Sequence, residues 1–166
     1  MGSGSQPHED RARPLGALLA ELGVNLLTGG GGGVMESVSR AFARHPDRRG
    51  VVIGVLPADP GDALCRPRPG YPNRWVEISV ATHLSFSGKS GQELLSRNHI
   101  NVLTSAAIIV LPGGSGTASE AKLALRYRKP ILAFLDRAEM SQLPGEIETT
   151  RELDEVRTFV ERYVRS

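Results

Sequence analysis

An apolar run that passes through a glycine loop directly into a helix is the feature that most constrains the fold. The run covers residues 106–111 and has the length of a strand, and apolar residues recur at helical spacing over 118–127. The segment PGGSGTASE, at 112–120, lies between them. In open parallel sheets, ligands bind at the carboxyl ends of strands, and the first amides of the next helix favour an anion. The segment therefore predicts a phosphate or sugar site.

The same unit occurs a second time near the beginning of the chain. A short apolar strand at 24–28 leads into five glycines at 29–33 and then into a helix with a buried stripe. The remaining predicted strands are 51–56, 76–80 and 130–135, the remaining helices are 10–22, 92–104 and 153–164, and 58–74 is a Pro- and Gly-rich loop. Strands that alternate with helices and are apolar on both faces predict an α/β fold, a Rossmann-like doubly wound parallel sheet with helices on both faces.

The first five residues do not fit this pattern. A doubly wound sheet should open with an apolar strand, but the chain reads Met1-Gly2-Ser3-Gly4-Ser5. We therefore expect the first strand to be missing, through an upstream translation start, a tag junction or a real loss. The upstream start is preferred, because loss of a central parallel strand would expose apolar surface and unpaired backbone groups.

Composition limits the classes of protein that the chain can belong to. Its 166 residues suit one domain, 1–166, and the formal net charge of +2 is scattered, which argues against a nucleic-acid partner. The single cysteine, Cys65, rules out an internal disulfide or a CxxC motif and favours the cytoplasm. No apolar segment is long enough for a membrane span, so no membrane partner is expected.

The glycine segments resemble a known family. PGGSGTASE is similar to the PGGxGTxxE motif of the LOG family, the cytokinin-activating phosphoribohydrolases, and Gly29–Gly33 with Val34-Met35 is similar to that family's first glycine motif. Residues 2–5 resemble the loop that follows the family's first strand. The resemblance implies a nucleotide-binding Rossmann-like domain that forms a homodimer or a higher homo-oligomer.

The resemblance also implies a set of site residues. Arg97, fifteen positions before Pro112, and Glu120 match the family's catalytic pair: the arginine would orient a phosphate, and the carboxylate would stabilise positive charge at the anomeric carbon. From the residues alone, Glu120 also fits a capping box with Thr117, and Arg97 fits a solvated helix face. The predicted ligand contacts are Gly2, Ser3, Gly29, Gly30, Gly31, Gly32, Gly33, Met35, Asn98, Pro112, Gly113, Gly114, Ser115, Gly116 and Thr117.

One departure from the family leaves two functions open. Plant-type enzymes have lysine after the arginine, whereas this chain has Asn98, which is similar to short bacterial LOG-like proteins and to molybdenum cofactor carrier proteins. The first function is hydrolysis of the N-glycosidic bond of a nucleoside 5′-monophosphate. The alternative is a non-catalytic binder or carrier of a phosphorylated small molecule such as molybdenum cofactor, a pterin phosphate. A third possibility is a scaffold whose pocket decayed with the loss of the first strand. Neither function requires a metal or redox cofactor, and the dinucleotide and P-loop fingerprints are not met.

Overall fold

The computed structural model describes residues 1–86 and 88–164, and in them two parallel sheets are flanked by helices. The strands are β1 (Leu26–Thr28), β2 (Val52–Leu56), β3 (Ile78–Ala81), β4 (Ile108–Val110), β5 (Ile131–Phe134) and β6 (Thr149–Thr150). The helices are α1 (Glu9–Glu21), α2 (Val34–Ala43), α3 (Asn98–Thr104), α4 (Ser115–Arg126) and α5 (Leu153–Val164). The strand orders are β1-β2-β3 and β4-β5-β6, and all neighbouring strands are parallel. The predicted α/β class and the parallel pairing are confirmed.

The two faces of β4 show why its sequence is continuously apolar. Ile109 packs into a core with α1, α2 and α5, whereas Ile108 and Val110 pack into a second core with α3 and α4. Successive side chains of a strand point to opposite faces, so a strand covered by helices on both sides needs apolar residues at every position. The helices therefore lie on both faces of the sheet, as predicted.

One helix is shorter than predicted, and one short strand was not predicted. The helix expected at 92–104 begins only at Asn98, and the preceding residues form turns in which the Ser96 amide donates to Glu93 O at 3.0 Å. Leu94 and Leu95, which supplied the apolar pattern there, are 85% and 55% exposed and therefore make no core. Strand β6, Thr149–Thr150, is only two residues long, too short to show the alternation that predicts a strand.

The sheet is interrupted where the first strand was expected. β1 and β4 are the end strands of their own sheets and do not pair with each other. Residues 1–3 lie beside β4: the Met1 amino group donates to Ile109 O at 2.6 Å, and the Leu111 amide donates to Met1 O at 2.8 Å. No helix among the described residues is long and apolar enough to cross a membrane.

Candidate functional site

A cleft of about 810 Å³ lies where the two glycine loops meet the beginning of the chain. It is lined by eleven of the predicted site residues: Gly2, Ser3, Gly29, Met35, Arg97, Asn98, Gly114, Ser115, Gly116, Thr117 and Glu120. The structure thus brings together residues from three separate parts of the sequence. A cleft of this size is typical of small-ligand sites.

Arg97 is the most unusual residue of the cleft. Its side chain is only 4% exposed, and neither Nε nor Nη1 has a hydrogen-bond partner. A buried guanidinium without a partner is costly, because both its charge and its N–H groups have lost water. Among the described residues, no acidic side chain forms an ion pair with it. Arg97 thus lines the cleft and has two buried donor atoms that no protein group satisfies, and the alternative of a solvated helix face is wrong.

Gly29 leaves room for the guanidinium of Arg97, which lies directly against it. A Cβ atom at this position would be 2.5 Å from both Nη1 and Nη2 of Arg97, closer than non-bonded atoms approach. The first glycine loop thus admits the arginine as well as any ligand. The Gly30 amide donates to the Thr28 hydroxyl at 3.0 Å, which fixes the bend immediately after β1.

Backbone hydrogen bonds join the beginning of the chain to both glycine loops. The Ser3 amide donates to Pro112 O and the Val34 amide donates to Ser3 O, each at 2.9 Å. Gly33 has φ of +61°, and a Cβ atom there would be 2.5 Å from Ser3 O. Glycine is therefore required at this junction for both its conformation and its lack of a side chain. The two helices α2 and α4 consequently begin beside the same short segment.

Glu120 is not a helix cap. Helix α4 begins at Ser115, its N-cap residue is Gly114, and there is no side-chain capping bond. Thr117 and Glu120 therefore lie inside the helix, and the capping-box alternative is wrong. Glu120 lines the cleft, where Asn101 Nδ2 donates to its Oε1 at 3.5 Å. Its carboxylate is directed to the cleft that Arg97 also lines.

Two asparagines of α3 complete this wall of the cleft. Asn98 and Asn101 are 3% and 7% exposed, and Asn101 Oδ1 has no hydrogen-bond partner. Their spacing of three residues places both on one face of the short helix. A buried unpaired amide oxygen beside a buried unpaired guanidinium gives this wall both a neutral acceptor and charged donors.

The other predicted residues do not line the cleft. Gly30, Gly31, Gly32, Gly33, Pro112 and Gly113 shape the two loops behind it. The segment 58–74 supports the first glycine loop, since Asn73 Nδ2 donates to Gly31 O at 2.8 Å and Tyr71 contacts Gly31. Two residues after Asn73, the ring of Trp75 is covered by the guanidinium groups of Arg44 and Arg74, at 4.9 and 4.7 Å from the ring centroid.

Tyr71 and the Met1 amino group are cleft residues that the sequence did not indicate. Tyr71 belongs to a segment without periodicity, so no pattern places it. Burial lowers the pKa of the Met1 amino group, and the negative charge of Glu120 partly opposes this shift. Among residues 1–86 and 88–164, no group of three His, Cys, Asp or Glu side chains is arranged to hold a metal ion.

Comparisons with known proteins identify a family. The family model described as the SLOG cluster4 family matches residues 1–161. An uncharacterized protein of Archaeoglobus fulgidus is 33% identical over 120 residues, which cover 72% of this chain and 66% of the relative.

Two solved structures are similar over nearly the whole chain. The molybdenum cofactor binding protein of Rippkaea orientalis is 28% identical with a TM-score of 0.69, and the match covers 98% of this chain and 93% of the other. The molybdenum cofactor carrier protein of Chlamydomonas reinhardtii is 25% identical with a TM-score of 0.69, and the match covers 100% and 96%.

Proposed function

The chain belongs to the SLOG cluster4 family, and from this premise we propose that its cleft binds a phosphorylated small molecule through Arg97. The observation that carries the proposal is the buried guanidinium with two unpaired donor atoms. An arginine retained in such a position is explained by a bound anion, because a phosphate would satisfy its charge and its N–H groups together.

The start of α4 supports an anion at the same place. Helix α4 is 12 residues long and begins at the cleft, whereas the first amide of α2, that of Val34, already donates to Ser3 O. The first amides of a helix have no partner within it, and the helix dipole adds partial positive charge there. The α4 residues Ser115, Gly116 and Thr117 line the cleft and would hold phosphate oxygens beside Arg97.

The reaction that we propose is hydrolysis of the N-glycosidic bond of a nucleoside 5′-monophosphate. Glu120 supports it, because this carboxylate lines the arginine-containing cleft and has no capping role. With the phosphate on Arg97, the carboxylate would stabilise the positive charge that develops at the anomeric carbon as the base departs. Water would then add to that carbon, giving the free base and ribose 5-phosphate.

The second candidate is a carrier that binds its ligand without chemistry. The observation that favours it is the similarity to two molybdenum cofactor binding proteins at 28% and 25% identity. Asn98 and Asn101 would then be neutral contacts to a pterin phosphate, which needs an anion site but no carboxylate chemistry. Both candidates use Arg97, and only the hydrolase uses Glu120.

One experiment distinguishes the two candidates. The protein is incubated with AMP, GMP, CMP and UMP, free base is measured by chromatography, and binding is measured by calorimetry. We expect Arg97→Ala to weaken nucleotide binding by roughly 10- to 100-fold, because charge-assisted hydrogen bonds contribute about 1.5–3 kcal/mol. We expect Glu120→Gln to lower base release at least about 100-fold while leaving affinity nearly unchanged.

Matched controls use the same residue types outside the cleft. Arg126→Ala and Glu155→Gln change exposed side chains of α4 and α5, and both variants should behave like the wild type. Base release that is equal in Glu120→Gln and Glu155→Gln would rule out the hydrolase. Binding that depends on Arg97 without any base release would establish the carrier. Binding that is unaffected by Arg97→Ala would reject both.

We further propose that the chain acts as a homodimer in the cytoplasm. Apolar side chains exposed beside α3, among them Leu94 and Leu95, support the dimer. The single cysteine, Cys65, which is a free thiol, supports a reducing compartment.

A further inference from the structure

Asn101 carries an amide oxygen that no group among the described residues satisfies. The side chain belongs to α3, lines the cleft and is 7% exposed, and its Oδ1 atom has no hydrogen-bond partner. A buried acceptor of this kind is unfavourable, because it has lost the hydrogen bonds of water without gaining others. The oxygen therefore needs a donor that enters the cleft from outside the protein.

The carboxylate of Glu120 determines how the Asn101 amide is oriented. Asn101 Nδ2 donates to Glu120 Oε1 at 3.5 Å. An ionised carboxylate only accepts hydrogen bonds, so the amide must turn its nitrogen, and not its oxygen, towards Glu120. The opposite orientation would place two acceptors against each other. Oδ1 is consequently held on the other branch of the amide, where it can accept a hydrogen bond but cannot donate one.

The unpaired groups of the cleft require a ligand with two kinds of polar group. Arg97 has two unpaired donor atoms, Nε and Nη1, whereas Asn101 has an unpaired acceptor. A phosphate monoester is mostly a dianion at neutral pH, so it accepts from Arg97 but has no proton to donate to Asn101. A hydroxyl group donates without carrying charge. A phosphorylated molecule that also bears a hydroxyl group would therefore satisfy both residues.

The position of Asn101 beside Glu120 selects one hydroxyl group, and this step rests on the proposed hydrolysis. Nδ2 and Oδ1 are bonded to the same carbon atom, so the unpaired oxygen lies next to the nitrogen that contacts Glu120. With Glu120 at the anomeric carbon of a ribose, the oxygen faces the next ring carbon, which bears the 2′-hydroxyl. Hydrogen bonds to this hydroxyl strengthen in the transition state of glycoside cleavage.

We propose that Asn101 accepts a hydrogen bond from the 2′-hydroxyl of a ribose phosphate through Oδ1 while it orients Glu120 through Nδ2. The cleft therefore discriminates ribose from 2-deoxyribose. Because both contacts belong to one planar amide, the sugar and the carboxylate are aligned with each other. The other asparagine of this wall, Asn98, has no unpaired buried side-chain atom, and its Nδ2 lies against Gly91.

The first test compares ribose 5-phosphate with 2-deoxyribose 5-phosphate, by calorimetry on the full chain. Both ligands carry a phosphate for Arg97, and neither has a base that could be released during the titration. The wild type should bind ribose 5-phosphate roughly 10- to 100-fold more tightly, because the deoxy sugar leaves the Asn101 oxygen unpaired. Asn101→Leu, which is similar in size but cannot accept a hydrogen bond, should bind both sugars equally. Asn98→Leu, the matched change on the same helix, should keep the preference.

A second measurement separates the two contacts of the amide. Asn101→Asp keeps an acceptor for the hydroxyl but replaces the donor to Glu120 by a second carboxyl group. This variant should retain the preference for ribose 5-phosphate. Its kcat for base release from AMP should fall at least about tenfold, with a smaller change in KM, because Glu120 is no longer oriented. Asn101→Leu should lose both the preference and the base release.

Three outcomes would overturn the proposal. Equal affinity of the wild type for the two sugars would show that water satisfies Oδ1, and it would leave the phosphate site at Arg97 intact. A preference that survives in Asn101→Leu would assign the discrimination to another residue. Failure of both sugars to bind would exclude a ribose phosphate ligand, whereas the nucleotide titrations with Arg97→Ala test the anion site separately. Each affinity ratio compares two ligands on one variant, so partial loss of stability cannot imitate the expected effect.

Discussion

At the scale of single residues, the resemblance to the LOG family made Arg97 a candidate site residue, but nothing in the sequence indicated its environment. That its guanidinium is buried, unpaired and packed against Gly29 depends on how the segment 92–97 turns, which no local pattern encodes. The role of Glu120 was ambiguous for a different reason: a capping sequence was present, but the helix begins three residues earlier than a Thr117 cap requires.

We predict that Gly29→Ala will imitate Arg97→Ala. The new Cβ would lie 2.5 Å from both terminal nitrogens of Arg97, and the flexible side chain will move before the backbone does. Nucleotide affinity should fall roughly tenfold or more, with a small change in melting temperature, as measured by calorimetry and by thermal denaturation.

The matched control is Gly145→Ala, because a Cβ atom at Gly145 meets nothing within 4 Å. If Gly29→Ala and Gly145→Ala bind the nucleotide with equal affinity, the close packing of Arg97 against the first glycine loop is contradicted.

At the scale of elements, the bounds of β2 and α5 were predicted better than those of β1, β4 and α3. β2 differs from the prediction by one residue, and α5 matches it at both ends. The prediction of where α3 begins was wrong, because periodicity cannot distinguish an apolar residue in a core from an exposed one such as Leu94. The pairing of β2 with β3 also depends on a contact that no periodicity contains, between Arg48 and Glu77.

We predict that Glu77 stabilises the β2–β3 pair only above acidic pH. Its carboxylate accepts from both terminal nitrogens of Arg48, at 2.7 and 2.8 Å, and from the Val52 amide at 3.0 Å. The Arg48 hydrogen bond is the main cause that lowers the Glu77 pKa below its usual 4.5, and the Val52 amide adds to the shift. The stabilisation is therefore complete above the unfolded pKa and is lost as pH falls through the lower, folded pKa.

Glu77→Gln should accordingly lower the melting temperature at pH 7, and the difference from the wild type should shrink as the pH falls below about 4.5. Thermal denaturation followed by circular dichroism from pH 3 to pH 7 measures this. Glu146→Gln, an exposed residue outside the sheets, provides the control. If the difference in melting temperature between Glu77→Gln and the wild type is constant across this pH range, the charge of the carboxylate does not contribute to the stabilisation.

At the scale of the whole molecule, the class of fold followed from the alternation of apolar strands and helices. Two features could not be predicted from this alternation. They are the division of the sheet into two halves and the hydrogen bonds by which residues 1–3 join both glycine loops. Both depend on contacts between residues far apart in the sequence. The Ser3 amide bonds to Pro112, for example, and a Gly-Ser segment carries no signal for such a partner.

The proposed homodimer is tested at this scale. Leu94 and Leu95 are 85% and 55% exposed immediately before α3, and burial against a second copy would remove them from water. We expect sedimentation equilibrium to show a dimer, and Leu94→Asp with Leu95→Asp to shift it to a monomer. Leu64→Asp, which charges an equally exposed leucine in another loop, should leave the dimer intact. A wild-type monomer would refute the dimer.

The packing of Trp75 gives the molecule an optical reporter. It is the only tryptophan of the chain, and the guanidinium groups of two arginines cover its ring. Its amide donates to Asn73 Oδ1 at 3.0 Å, and the amide group of the same asparagine holds Gly31. Indole emission responds to nearby charge and to water, so a shift of the first glycine loop on ligand binding would be transmitted to a chromophore outside the cleft. Such a shift would let titrations of the unlabelled protein be followed by its own fluorescence.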